Sequence, residues 1–161
     1  MQQYHLQNRP DRELTSISAI KDILKNGKYA VISMCRDNEP YIVTLSYGYD
    51  SKNNSLYFHC STKGLKLDFI KYNPYVCATV IEDGGYVLNE CGHNYKTVVL
   101  WGNLAIVTDP DEKKHGMETL LIHPENNSEV IAEKLLKLDE YFSKMEVLKL
   151  DIIQIHGKAG R

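Results

Sequence analysis

From residue 41 to residue 49 the chain alternates as a half-buried strand does. Tyr41, Val43, Leu45, Tyr47 and Tyr49 fall on one side, and Ile42, Thr44, Ser46 and Gly48 on the other. Before it, Lys28 to Arg36 is apolar and β-capable, and Asp37-Asn38-Glu39-Pro40 between the two has turn composition. A polar loop at Asp50-Ser51-Lys52-Asn53-Asn54 leads to a third strand, Ser55 to Cys60, so the three read as an antiparallel meander. A fourth strand is predicted over Tyr75 to Ile81, followed by a polar connection without periodicity from Glu82 to Asn94. Tyr95 to Thr108 is a long Val-rich run that suits a strand buried on both faces. A last strand, Glu146 to His156, precedes a Gly157-Lys158 tail.

Helical spacing appears between these runs. The stripe Ile17, Ile20, Ile23 and Leu24 predicts a helix capped by Thr15 or Ser16 and ended by Asn26-Gly27. Leu65 to Tyr72 predicts a short helix capped by Thr62 and closed by Asn73-Pro74. Asp109-Pro110-Asp111-Glu112 is the clearest helix start, with Asp109 as cap, Pro110 at the first position and Glu112 in a box-like pairing. That helix runs to about Ile122, and Ser128 opens another that ends near Tyr141. About six strands and four helices result, a mainly β, antiparallel α+β arrangement. With no repeat, low-complexity tract or linker, residues 1–161 are expected to form a single domain.

Composition narrows the function classes. A net charge of −2 offers no basic field for nucleic acid. The N-terminal segment is polar and no apolar run is long enough to span a bilayer, which points to a cytoplasmic protein without a membrane role. Cys35, Cys60, Cys77 and Cys91 lie far apart with no CxxC pair, so they read as reduced thiols, mostly small core residues. Cys91-Gly92-His93 offers two metal ligands but no second pair at zinc spacing, and no metal site is expected. No GxSxG or HExxH motif and no nucleophile with a paired base supports hydrolysis.

The densest chemical signal is His59-Cys60-Ser61-Thr62-Lys63-Gly64-Leu65-Lys66, where a strand gives way to a helix. Free N–H groups at a helix start favour an anion, and the hydroxyls and lysines add donors and positive charge suited to phosphate. The same segment also reads as a capped helix with solvated lysines, and the local residues alone favour that plainer reading. Tyr95 and Thr97 are polar residues beside an apolar run, and edge residues facing water explain them equally well. His59 within a strand fits a hydrogen-bonded core residue.

Taken together, the segments resemble the pyridoxamine 5′-phosphate oxidase-like flavin split barrels, most closely the branch related to nitroimidazole-resistance proteins. The resemblance rests on the order Tyr29-Ala30-Val31-Ile32, Pro40-Tyr41-Ile42-Val43-Thr44, Tyr47-Gly48-Tyr49-Asp50 and Leu56-Tyr57-Phe58-His59, followed by Lys63-Gly64-Leu65-Lys66. It continues through Asn73-Pro74-Tyr75-Val76-Cys77, then Tyr95 to Gly102, Glu112-Lys113 and Gly157-Lys158. The family implies a six-stranded antiparallel split β-barrel with flanking helices, a homodimer, and FMN in clefts between the subunits. By resemblance, Val43, Thr44 and Leu45 lie along the flavin ring, and His59, Cys60 and Ser61 approach the ring and ribityl chain. Lys63 and Lys66 meet the phosphate, while Tyr95, Thr97 and Val98 come from the other subunit. Tyr41, Tyr47, Tyr49 and Tyr95 are candidates to line a substrate pocket.

The sequence departs from the family pattern at Leu45, where many relatives carry proline in this region, and at Leu65, which replaces a frequent arginine. The implied activity is FMN-dependent reduction of a small organic acceptor, a nitroaromatic among the options, with a nicotinamide donor, NAD(P)H. A flavin-binding carrier, sensor or electron-transfer protein without turnover is the alternative. The chain shows no extended arginine-rich pattern for a second phosphate, which argues against pyridoxamine phosphate oxidation itself.

Overall fold

Antiparallel pairing holds the chain in one sheet of eight strands in a computed structural model that describes residues 9–124, 128–137, 140, 142 and 144–160. A 3-10 turn, Pro10–Arg12, leads into β1 (Glu13–Leu14), α1 (Ile17–Asn26), β2 (Tyr29–Arg36), β3 (Glu39–Ser46), β4 (Gly48–Asp50) and β5 (Ser55–Ser61). Then come α2 (Leu65–Tyr72), β6 (Tyr75–Val87), β7 (Gly92–Ile106), α3 (Pro110–Ile122), α4 (Ser128–Leu136) and β8 (Met145–Gly160). The strand order is β3-β2-β6-β7-β8-β5-β4, with β1 paired to β8.

That order has a geometric consequence. β3 and β4 stand at opposite ends of the sheet, yet only Tyr47 separates them in the chain. The two ends must therefore lie side by side, and without a ladder between them the sheet becomes a barrel split along one seam. The predicted 41–49 strand is thus two strands, because the chain crosses the seam at Tyr47. This division and the short β1 raise the predicted six strands to eight. Asp37 and Asn38 both take positive φ, 48° and 66°, the conformation of a tight two-residue hairpin turn. Glu39 and Pro40 already belong to β3, an edge strand where proline costs no ladder bond.

Alternation decides what fills the barrel. Ala30, Ile32 and Met34 of β2, Val76, Ala78 and Val80 of β6, and Val98, Leu100 and Leu104 of β7 point inward. They meet Leu56 and Phe58 of β5 and Leu148 and Leu150 of β8, with Ile23 and Leu24 of α1 and Phe69 of α2 closing the core. Each such side chain contributes on the order of 1.5–3 kcal/mol by leaving water. On the opposite face of β5 and β8 a smaller cluster, Tyr57, Val107, Met117, Leu120 and Val147, seats α3.

Several boundaries differ from the sequence reading. β7 is buried on one face only, since Val99 and Trp101 are half-exposed between buried neighbours. Residues 82–94 form the outer end of the β6–β7 hairpin, and Gly157-Lys158 continues β8 rather than trailing from it. Ser16 caps α1 and Asp109 caps α3 as expected, accepting the N–H of Ala19 and of Glu112. Glu112 does not complete a box, because its carboxylate is taken by Lys149 at 2.8 Å. Thr62 does not cap α2: the helix starts at Leu65 with Gly64 as its N-cap and no side-chain cap bond. Of the four thiols only Cys60 is fully buried, while Cys35 and Cys91 are exposed. The predicted helix end at Tyr141 lies outside the described residues. Among the described residues no helix is long and apolar enough to cross a membrane.

Candidate functional site

Where α1 ends and β2 begins, two adjoining cavities open, each about 490 Å³. They share Asn26, Gly27, Lys28 and Tyr29 as a common wall and together form one groove. On one side the groove runs over Val31, Thr44, Thr79 and Ile81, the outward face of β2, β3 and β6. On the other it runs past Ser46 and His59 to Met117, Leu120 and His123 of the α3 side. Its size and mixed lining are those of a small-molecule or cofactor site.

Two contacts, one of them fully buried, hold the end of α1. The Tyr47 hydroxyl donates to the Leu24 carbonyl at 2.6 Å, and His123 Nε2 donates to the Gly27 carbonyl at 2.7 Å. The two rings pack 4.7 Å apart, so the end of α1 is fixed to both the seam and α3. Burial pushes the Tyr47 phenol well above its usual range, and it stays a neutral donor.

His59 and Ser61 lie on the same outward face of β5, two residues apart. β5 pairs with β4 over Ser55, Leu56 and Tyr57 and no farther, so residues 58–61 have a strand on the β8 side alone. The turn that follows carries Thr62 and Lys63, both exposed, and then Gly64 with φ of 146°, a conformation other residues rarely adopt. No side chain caps α2, and among the described residues neither Lys63 nor Lys66 makes an ion pair. A helix start without a side-chain cap, beside two lysines outside any ion pair, has the donors and the charge that an anion would meet. The plainer capped-helix reading loses its cap.

The predicted residues divide by strand parity. Thr44 and His59 line the groove, and Ser61, Lys63 and Lys66 form the basic turn beyond His59. Val43 and Leu45 pack against the core, and Cys60 and Val98 lie within it. Their side chains face away from the groove, which leaves only their backbone for a ligand. Burial pushes the Cys60 thiol up, against the pull of nearby Lys66, so it is not a ready thiolate. Thr97 bonds to Thr79 and to the Val80 carbonyl, tying β7 to β6 beside the groove. Tyr95 sits farther along β7, next to Arg12. Of the tyrosines proposed for a pocket, Tyr47 lines the groove, whereas Tyr41 packs on Phe69 and Tyr49 against the core.

Sequence reasoning missed Lys28, Tyr29, Ser46 and His123. Tyr29 and Ser46 were reachable, since they share the outward parity of Val31 and Thr44 and pair with each other. His123 was not, because its contact with Gly27 spans 96 residues.

A polar network fixes α3, the far wall. The buried Asp50 carboxylate accepts from the Lys52 and Asn53 N–H groups, from Asn53 Nδ2, and from His115 Nε2 at 2.7 Å. Burial alone would raise this carboxyl, but the hydrogen bonds from His115 and Asn53 outweigh it and bring the pKa to about 2. Nearby, Lys149 bridges Glu112 at 2.8 Å and Asp151 at 3.3 Å. Burial pushes the Tyr57 phenol up to about 12, so it remains a neutral hydroxyl beside Glu112. Among the described residues no cluster of His, Cys, Asp and Glu could hold a metal.

The family model described as pyridoxamine 5′-phosphate oxidase matches residues 16–159. Comparison with curated proteins gives no match. Among solved structures, a proposed 5-nitroimidazole antibiotic resistance protein from Bacteroides thetaiotaomicron superposes with a TM-score of 0.74 at 19% identity, covering 91% of this chain and 86% of that one. An FAD-binding protein from Mesorhizobium loti gives 0.66 at 22% identity over 93% of this chain and 97% of that one. The flavocytochrome Anf3 from Azotobacter vinelandii gives 0.71 at 16% identity over 100% of this chain and 72% of that one. At these identities the likeness is one of fold.

Proposed function

Because the chain belongs to the pyridoxamine 5′-phosphate oxidase family, we propose that it binds a flavin, FMN, along the groove with the phosphate at the Ser61–Lys66 turn. The observation that carries this reading is the uncapped start of α2 beside two lysines without ion pairs. The residues fit the group. Lys63 and Lys66 match a phosphate dianion, Ser61 and Thr62 add hydroxyl donors, and Gly64 leaves open space where any other residue would place Cβ. The groove, two adjoining cavities of about 490 Å³ each, offers Thr44 and Ser46 as polar contacts and Met117 and Leu120 as an apolar wall for a flat ring.

Bound flavin supplies the redox chemistry, so the protein needs no nucleophile with a paired base. Its own residues orient the ring, neutralise the phosphate and keep the α3 side dry. On this reading the chain is an oxidoreductase that takes electrons from a nicotinamide donor and reduces a small organic acceptor, nitroaromatics included. A homodimer belongs to the same proposal, with Tyr95, Thr97 and the Val98 backbone of a second copy completing the cleft. Exposed Tyr29, Ile42 and Ile81 on one sheet face support that pairing.

The test is the visible absorption spectrum of the freshly purified chain, with mass identification of released cofactor. A flavin spectrum, or one that develops when FMN is added, is expected. A colourless protein whose added FMN keeps its free-solution spectrum would overturn the proposal.

A further inference from the structure

The two lobes of the groove differ in charge. The α3 lobe, about 490 Å³, is walled by Met117, Leu120 and Leu121 and rimmed by Lys25 and Lys28, which flank the turn from α1 into β2. Lys25, Asn26, Lys28, Ser46 and His59 all carry hydrogen-bond donors, and among the described residues no Asp or Glu lines this lobe. Both lysines are exposed, and neither makes an ion pair among the described residues. The acids stand at the other end of the groove, where Glu82 and Asp83 border the lobe of Val31, Thr44 and Thr79.

A helix C-terminus ordinarily presents free carbonyls and the negative end of its dipole, both hostile to an anion. Here α1 ends in the wall of the lobe, and three carbonyls at that end are already occupied. The Ile23 carbonyl accepts from the Gly27 N–H at 2.9 Å, that of Leu24 from the Tyr47 hydroxyl, and that of Gly27 from His123 Nε2. Lys25 in the last turn offsets the dipole. Tyr47 and His123, brought in from the seam and from α3, thus turn an acceptor-rich helix end into a wall that presents mainly donors and positive charge.

A ligand matched to this lobe has a flat apolar face for α3 and a group that only accepts for the lysine rim. A flavin ring lying along Thr44, as the family resemblance implies, leaves this lobe for such a second molecule. We propose that the α3 lobe takes a flat aromatic acid, with its ring against Met117, Leu120 and Leu121 and its carboxylate toward Lys25 and Lys28. Its role as the small organic acceptor rests on the flavin reading, whereas its binding does not. The reverse placement is disfavoured, because Glu82 and Asp83 repel a carboxylate at the far end. A neutral or cationic ring of the same size leaves the lysines without a partner and binds more weakly.

The test is a ligand-observed NMR titration of the full chain as purified, using benzoate, benzamide and benzamidine, flat probes of one size that are anionic, neutral and cationic. Benzoate is expected to bind tightest and benzamidine weakest. The lead of benzoate over benzamide is expected to be at least about fivefold, the effect of two partly screened cations. Lys25→Gln with Lys28→Gln is expected to remove that preference, and Lys25→Arg with Lys28→Arg to keep it. Lys52→Gln with Lys71→Gln, a control at exposed lysines outside the groove, is expected to leave it unchanged, as is Lys63→Ala with Lys66→Ala. A preference that survives the Gln pair at 25 and 28, or that falls equally in the control pair, overturns the site. So does a preference lost with Lys63 and Lys66, which puts the anion at the basic turn, and so does benzoate that binds only as flavin leaves. Equal affinity for benzoate and benzamide in the unsubstituted chain also overturns it, a readout that needs no variant to fold. A chain that takes up no FMN yet prefers benzoate contradicts the flavin reading and supports the lobe.

Discussion

Replacing Asp50 by Asn removes one charge while keeping the shape that pins α3 to the barrel. The side chain is 6% exposed, and its carboxylate accepts four hydrogen bonds, one of them from His115 on α3. An Asn amide oxygen at the Oδ1 position can still accept from the Lys52 and Asn53 N–H groups, so the substitution removes the charge and the two bonds to Oδ2, from His115 and from Asn53 Nδ2. The folded carboxyl titrates at about 2 against an ordinary 3.8. A gap of nearly two pH units, at about 1.4 kcal/mol each, is worth roughly 2.5 kcal/mol. Because the folded pKa is depressed, that stability is fully present above pH 3.8 and is lost as pH falls through about 2. Urea unfolding followed by Trp101 fluorescence checks this across pH. Asp50→Asn is expected to lose roughly 2.5 kcal/mol at pH 7, the difference from the parent narrowing below pH 4. A difference of equal size at pH 7 and pH 3, or none at pH 7, would refute the reasoning. Since α3 walls the groove, the variant is also expected to hold flavin less tightly at neutral pH.

Three further substitutions probe the same frame. Tyr47→Phe strands the buried Leu24 carbonyl and is expected to cost about 1–3 kcal/mol in thermal or urea unfolding. Gly48→Ala places a Cβ 2.5 Å from the Thr119 carbonyl oxygen and 2.6 Å from the Leu120 nitrogen, backbone atoms that cannot rotate away. It is expected to destabilise by at least about 1–3 kcal/mol, the ordinary cost of overpacking, and to raise flavin loss on dialysis. Leu65→Arg adds a cation at the exposed first position of α2 and is expected to tighten FMN severalfold, with a steeper salt dependence.

The strand runs and helix starts were legible because alternation and capping are local. Ser16 and Asp109 cap where the sequence places them, and Tyr41, Val43 and Leu45 share one face as the alternation predicts, the face that packs on the core. What sequence could not show was closure. Tyr47 and Tyr49 continue the alternation past the seam, so one run of nine residues conceals a change from one end of the sheet to the other. The basic turn was legible in composition, but its meaning depended on whether Thr62 caps α2, a question of backbone geometry. Neighbouring residues in one strand alternate faces, which is why Thr44 reaches the groove while Val43 and Leu45 do not.

The central claim, that the Ser61–Lys66 turn holds a flavin phosphate, is tested most directly by comparing two ligands that differ only in that group. Dissociation constants for FMN and riboflavin are measured by fluorescence quenching in the parent chain and in Lys63→Ala with Lys66→Ala. Charge-assisted hydrogen bonds to phosphate are worth about 1.5–3 kcal/mol each, so the parent is expected to prefer FMN at least tenfold. The double variant is expected to lose most of that preference while its riboflavin affinity stays unchanged. An FMN-to-riboflavin ratio that is the same in both proteins would contradict the account.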